Sequence, residues 1–248
     1  MESNQSSPAP QHRVVGLRPY YDEAGITIYH ADCAQVLPFL DPVDLLLTDP
    51  PYGIGAGKGG AGAHQKSHMD GPCEWDKDVS PQALIDSAVS KARGAIVWGG
   101  NYYTMPPCRG MLIWDKKQPM EWFSTAHFEY AWTTFNRNAK AYRASQVEVY
   151  AKMDKAHPTQ KPLEVIYWCI QQAEAVAPVS TILDPFMGSG TTLVAAKNLG
   201  KRAIGIEREL KYCEIAVRRL AQQTLFQVEQ SNHEVSGPPS GGSTAPRC

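Results

Sequence analysis

Residues 49–52 read Asp49-Pro50-Pro51-Tyr52 and follow the apolar run VDLLLT. Two consecutive prolines cannot donate to a sheet, so they stop a strand in a rigid turn. A carboxylate, a Pro50 carbonyl and a flat aromatic ring are thereby held at a strand's carboxyl end, with Pro51 stiffening the turn. Two acceptors in that arrangement suit an exocyclic amine on a heteroaromatic base. Such a nitrogen is a poor nucleophile, because its lone pair is delocalised into the ring. Hydrogen bonds from its two N–H groups to Asp49 and to the Pro50 carbonyl would draw it toward tetrahedral geometry. The carboxylate would also stabilise the positive charge that develops there during methyl transfer. Tyr52 offers a face on which a base extruded from a duplex can stack. Taken alone, the four residues also admit a plain strand-ending turn with Tyr52 as a packing residue.

A second motif bears on that choice. Residues 181–192 read TILDPFMGSGTT: a β-branched strand, an acid, a turn containing Gly188 and Gly190, then a helix. In open parallel sheets, ligands sit at such turns beyond the strand ends. Glu207 ends the next strand, RAIGIE, where an acid can accept hydrogen bonds from both hydroxyls of a ribose. A dinucleotide fingerprint would need a third glycine where Leu193 stands, and Asp184 would repel a pyrophosphate. Asp184 suits the cationic amino group or sulfonium of S-adenosylmethionine. Another nucleotide, or a plain strand–turn–helix, remains open on these residues alone. A phosphate loop at Gly57-Lys58 fails, since Gly59 follows and Tyr52 occupies the earlier glycine position.

The elements that must hold these motifs alternate. Expected strands are Ile26–His30, Val43–Thr48, 95–98, 111–114, 128–134, 147–150, 181–183 and 203–206; expected helices are 81–93, 162–177, 191–199 and 209–223. Ser80 is placed to cap the first helix, and Gly94 and Gly200 to stop two of them. Alternation of this kind implies an α/β fold, a doubly wound and mostly parallel sheet. A single domain over 13–227 is expected, with polar tails at 1–12 and 228–248. The Gly-rich 53–79 segment is long enough to be a mobile loop over the substrate.

Composition narrows the class further. No run is long enough to span a membrane, no basic-then-apolar leader opens the chain, and the six cysteines form no CxxC pair, so a cytoplasmic protein with reduced thiols is expected. The chain carries a net charge of −1, yet residues 109–161 hold nine Lys/Arg against five Asp/Glu. That imbalance suits one face meeting a polyanion, and by itself lies within ordinary surface variation. His64, His68 and Cys73 share a loop without the spacing of a zinc site, so no metal is expected.

With both motifs in view, the chain resembles the β-class DNA amino-methyltransferases, in which DPPY precedes the cofactor motif. The resemblance covers about residues 25–222. It implies a seven-stranded sheet with one antiparallel strand, built from a circularly permuted chain. Ile26–His30 and Val43–Thr48 would be central, and 181–183 would pair between the halves. Asp49, Pro50, Pro51 and Tyr52 take the catalytic role. Asp184, Pro185, Phe186, Gly188, Ser189, Gly190, Thr191 and Glu207 take the S-adenosylmethionine role. HADC at 30–33 puts Asp32 near the adenine of the cofactor, and HPTQKP at 157–162 puts Thr159 and Lys161 near its methionine carboxylate. His157 is read as structural. DNA is the implied partner, read by residues 115–150 through Lys116, Lys117, Arg137, Lys140 and Arg143, with help from the 53–79 loop or a homodimer partner. Trp122, Phe123 and Trp132 read as core or wall, and Asn101 and Tyr102 equally as a lining of the base pocket or a structural turn. DPPY points to adenine N6, with cytosine N4 as the alternative. Methylation of RNA or of a protein glutamine, and an inactive DNA-binding relative, fit the motif order or its intact residues less well.

Overall fold

Among the described residues, nine strands form one sheet in the order β1-β2-β9-β8-β3-β4-β6-β5-β7. They are β1 (Tyr21–Glu23), β2 (Ile26–His30), β3 (Val43–Thr48), β4 (Ala92–Trp98), β5 (Met111–Asp115), β6 (Phe128–Thr133), β7 (Lys140–Arg143), β8 (Thr181–Asp184) and β9 (Arg202–Glu207). The helices are α1 (Cys33–Val36), α2 (Gln82–Ser90), α3 (Leu163–Glu174), α4 (Thr191–Asn198) and α5 (Leu210–Glu234). This computed structural model describes residues 16–53, 79–118, 126–145, 148 and 160–234. The expected tail at 1–12, residues 54–78 of the Gly-rich loop, most of the expected strand at 147–150, and Trp122, Phe123, His157 and Thr159 lie outside them.

Five neighbouring strands, β2, β9, β8, β3 and β4, are mutually parallel, and β6 is antiparallel to both β4 and β5. The expected seven-stranded core is therefore present with β6 as its reversed strand, extended by an edge strand at each side. β1 and β7 escape the periodicity because YDE and KAYR have no apolar alternation. β3 is the middle strand, as its VDLLLT composition requires, since it is covered on both faces. β2 is not central: only β1 lies outside it. β8 pairs with β3 on one side and β9 on the other, joining the halves as expected.

Alternate residues of the strands feed two cores. Leu45, Leu47, Ile96 and Trp98 pack with α3, α4 and α5; Leu46, Val97 and Ala95 pack with α1 and α2 on the opposite face. At the amino end of the β3–β8 seam, Asp44 accepts hydrogen bonds from the Ser180 and Thr181 amides at 2.7 and 3.0 Å. Those bonds and Arg93 hold its carboxyl below the ordinary range against the upward push of burial.

Three expected boundaries move. α2 is capped by Pro81 without a side-chain bond from Ser80, and Gly94 lies inside β4 because Ala92 already pairs with Val43. Gly200 does take the left-handed conformation, at φ 65°, just past α4. α5 runs to Glu234 rather than stopping at 223, taking in residues 228–234 of the expected tail. No Gly or Pro interrupts the chain before Gly237, so nothing ends the helix earlier.

Candidate active site

A cleft of about 420 Å³ opens at the carboxyl ends of the parallel strands, and Asp49 and Pro51 share its lining with Asp184, Gly188 and Glu207. The two motifs, far apart in sequence, are joined directly: the Thr48 hydroxyl donates to Asp184 Oδ1 at 2.8 Å. Asp184 is buried, and also accepts from the Phe186 amide at 3.2 Å. Burial raises its pKa to about 6, against the hydrogen bonds from Thr192, Thr48 and Phe186 that favour the charged form.

The turn after β8 is shaped by its glycines. Gly190 has φ 78°, and a Cβ there would come within 2.7 Å of the Ala216 Cβ, so α5 packs against bare backbone. Gly188 has φ 50° with nothing within 4 Å of a built Cβ, leaving space beside its amide. Glu207 takes the Gly188 amide at 3.1 Å and the Glu209 amide at 2.8 Å, while burial pushes its carboxyl up. From α5, Arg219 donates to the Ser189 carbonyl at 2.6 Å and to the Ser189 and Thr191 hydroxyls at 3.1 Å. Burial lowers its guanidinium to about 10, still cationic at neutral pH. Asp32 caps α1 by accepting from the Ala34 amide at 2.8 Å, and Pro185, Phe186, Ser189 and Thr191 line the same cleft. Gly190 is buried behind the turn.

In the tetrapeptide, the Tyr52 hydroxyl donates to Asp49 Oδ1, and the Lys161 ammonium lies 2.6 Å from Asp49 Oδ2. Pro50 is buried; the Pro51 carbonyl is anchored by the Tyr103 hydroxyl at 2.6 Å and the Ser80 amide at 3.4 Å. Tyr52 stacks on Tyr102 with ring centres 4.8 Å apart and planes 16° apart. Gly99, at φ 63°, leaves room for that ring, since a Cβ there would stand 2.0 Å from Tyr52 Cε1. Asn101 and Tyr102 are exposed, Tyr102 against the tetrapeptide.

Glu129 of β6 completes the ionic arrangement and was not anticipated. Its Oε2 lies 2.8 Å from Lys161, and its Oε1 lies 2.5 Å from Lys116. Lys161 lines the cleft as an ion partner of Asp49 and Glu129. Burial alone would depress its ammonium; the two carboxylates hold it well above the usual range. A sequence signal existed in Glu129, an acid in an otherwise apolar strand, but its partners lie at separations no motif encodes.

Two expected DNA contacts are corrected. Lys116 is buried at 5% exposure, over the Trp114 ring and paired with Glu129, so it does not face a phosphate. Arg137 follows β6, which runs toward the amino ends of β3 and β4, and it donates to the Ala175 carbonyl at 2.9 Å. It therefore lies at the end of the sheet away from the cleft. Lys117, Lys140 and Arg143 are exposed; Lys117 pairs with Glu148 at 3.5 Å and Arg143 with Asp115 at 2.9 Å. Trp132 is core, its indole N–H donating to the Pro106 carbonyl at 2.8 Å. Among the described residues there is no metal-ligating cluster, and no helix long and apolar enough to cross a membrane.

Known proteins place this arrangement. Residues 113–218 match the family model described as DNA methylase, of the N6/N4 type. The type II methyltransferase M2.LlaDCHI of Lactococcus lactis subsp. cremoris is 28% identical over 86% of this chain and 96% of its own length. M2.DpnII of Streptococcus pneumoniae is 27% identical over 84% and 94%. The fold is shared with the M1.HpyAVI–SAM complex, at a TM-score of 0.51 and 22% identity over 79% of this chain and 98% of that one. It is shared also with the cytosine-N4-specific PvuII DNA methyltransferase, at 0.53 and 16% identity over 82% and 89%. The matched family model, the near full-length relatives and the shared fold together support a DNA amino-methyltransferase of the N6/N4 class.

Proposed function

We propose that the protein transfers a methyl group from S-adenosylmethionine to the N6 of adenine within a specific DNA sequence. The observation that carries this is one cleft lined by both Asp49 and Asp184, with Thr48 bridging the strands that bear them. The residues fit the donor. Asp184 is a buried carboxylate without an ion partner among the described pairs, suited to a cationic amino group; Glu207 suits a ribose, and Asp32 the adenine edge. When bound, the donor supplies an electrophilic methyl carbon on a sulfonium. Asp49 and the Pro50 carbonyl accept the two N–H groups of the target amine, and Asp49 stabilises the charge that grows on the nitrogen. Tyr52 stacks the extruded base, a place its Tyr102 neighbour now shares. Lys117, Lys140 and Arg143 remain the candidates for phosphate contact. A second copy of the chain would extend the short recognition region between the motifs.

The preference for adenine follows the resemblance of DPPY, since either base offers the same amine. The test is to incubate protein, DNA and cofactor labelled in its methyl group, then digest the DNA and identify nucleosides by mass spectrometry. Labelled N6-methyladenine is expected. N4-methylcytosine instead would replace the adenine reading, and unlabelled DNA would overturn the function.

A further inference from the structure

Glu129 faces the α3 side of the sheet with Ala131 and Thr133, directly across from Trp114 in register. Its two oxygens hold two buried ammonium groups, Lys161 at 2.8 Å and Lys116 at 2.5 Å, each standing 5.1 Å from a tryptophan ring centre, Trp98 and Trp114. A buried cluster of this kind is a poor source of stability, because desolvating four charges offsets most of their attraction. One end of the cluster is Asp49 itself, 2.6 Å from the same Lys161.

Charge decides what the arrangement does. A lone ammonium against Asp49 would fix the carboxylate in place, but would also cancel the negative charge that the developing cation on the target amine needs. A second carboxylate on the far side of that ammonium shares it with Asp49 and draws it away, so Asp49 keeps more of its charge for the reacting nitrogen, while Lys116 on the outer oxygen of Glu129 balances the cluster of four. Glu129 is suited to this: burial pushes its carboxyl up, but Lys161 and Lys116 pull it down to about 2, so it is ionised at any working pH. We propose that Glu129 is a positioning residue for methyl transfer, sharing Lys161 with Asp49 so that Asp49 is oriented without being neutralised. The inference rests on the reading that Asp49 receives the target amine.

The test compares Glu129→Gln alone with Glu129→Gln combined with Lys116→Met, the latter removing one charge of each sign from the cluster. Methyl transfer to DNA is measured at steady state beside the wild type and Glu129→Asp, with cofactor binding by calorimetry and thermal melting as controls of folding. The expected result is a kcat at least ~10-fold lower in both Gln variants, with KM for DNA and cofactor within about threefold of wild type. Glu129→Asp, which keeps the charge, should retain at least about a third of kcat. A purely structural role predicts that the charge-balanced double variant recovers; wild-type kcat in it would overturn the proposal. So would failure of both Gln variants to melt cooperatively and bind cofactor, which would make Glu129 a residue of the core alone. Absence of transfer by the wild type would instead overturn the proposed activity.

Discussion

At the scale of single residues, Asp49 and Asp184 are two carboxylates with opposite demands. In the proposed reaction Asp49 presents charge to a substrate amine, and it lies half-buried beside Tyr52 and Lys161. Replacing it by Asn keeps the shape and removes the charge. Asp49→Asn should lower kcat by about 100- to 1000-fold while cofactor affinity, read by calorimetry, stays within a few-fold. Asp184 is buried and titrates near 6 rather than 3.8, so the folded protein holds its proton more tightly than the unfolded chain does. Its ionisation therefore costs nothing below pH about 4, and the cost grows as pH rises through 6, reaching on the order of 3 kcal/mol above it. A cationic ligand beside it favours the ionised form. Cofactor affinity should thus rise between pH 5 and 7.5. Asp184→Asn should bind weakly with a flat profile over that range, yet melt at higher temperature than wild type at pH 8. Equal pH dependence in the two proteins would remove Asp184 from the binding site. The motif residues were legible because their types and order are unusual; Glu129, Lys116 and Arg219 were not. Nothing in a sequence says which of several lysines is buried, or that an arginine thirty residues downstream reaches the Ser189 carbonyl.

At the scale of elements, the turn after β8 is held from behind. α5 lies so close to Gly190 that even a methyl group meets Ala216 at 2.7 Å, and the backbone there has φ 78°. Gly190→Ala should cost about 1–3 kcal/mol through strain and close contact together. Thermal melting and cofactor titration should show the loss; an unchanged melting temperature and affinity would mean that the turn relaxes without α5. β2 and β3 matched their expected bounds residue for residue, because ITIYH and VDLLLT are apolar runs cut off by polar or proline residues. KAYR, a polar edge strand, gives no periodic signal for β7, and the expected helix at 81–93 overruns α2 because a helix and a following buried strand share the residues near 92–95.

At the scale of the whole molecule, the cleft is built from both halves of the chain, so its ligand should brace the entire sheet. S-adenosylmethionine at about a hundred times its Kd should add ~2.7 kcal/mol, raising the melting temperature by about 5–10 °C. A shift confined to one of two separate transitions would indicate halves that unfold independently. The same strand order has a consequence for synthesis on the ribosome. β2 and β3 leave the tunnel early, but the strands that fill the gap between them, β9 and β8, are made only at residues 202–207 and 181–184. Until then the Asp-Pro-Pro-Tyr turn closes a strand that lacks its neighbour on that side, and Thr48 has no Asp184 to meet. Long-range parallel pairing is slow to form and leaves strand edges exposed meanwhile. The nascent chain therefore carries its Asp-Pro-Pro-Tyr tetrapeptide for most of translation as an unfinished edge, and the cleft shared by Asp49, Asp184 and Glu207 is complete only when β9 has paired between β2 and β8.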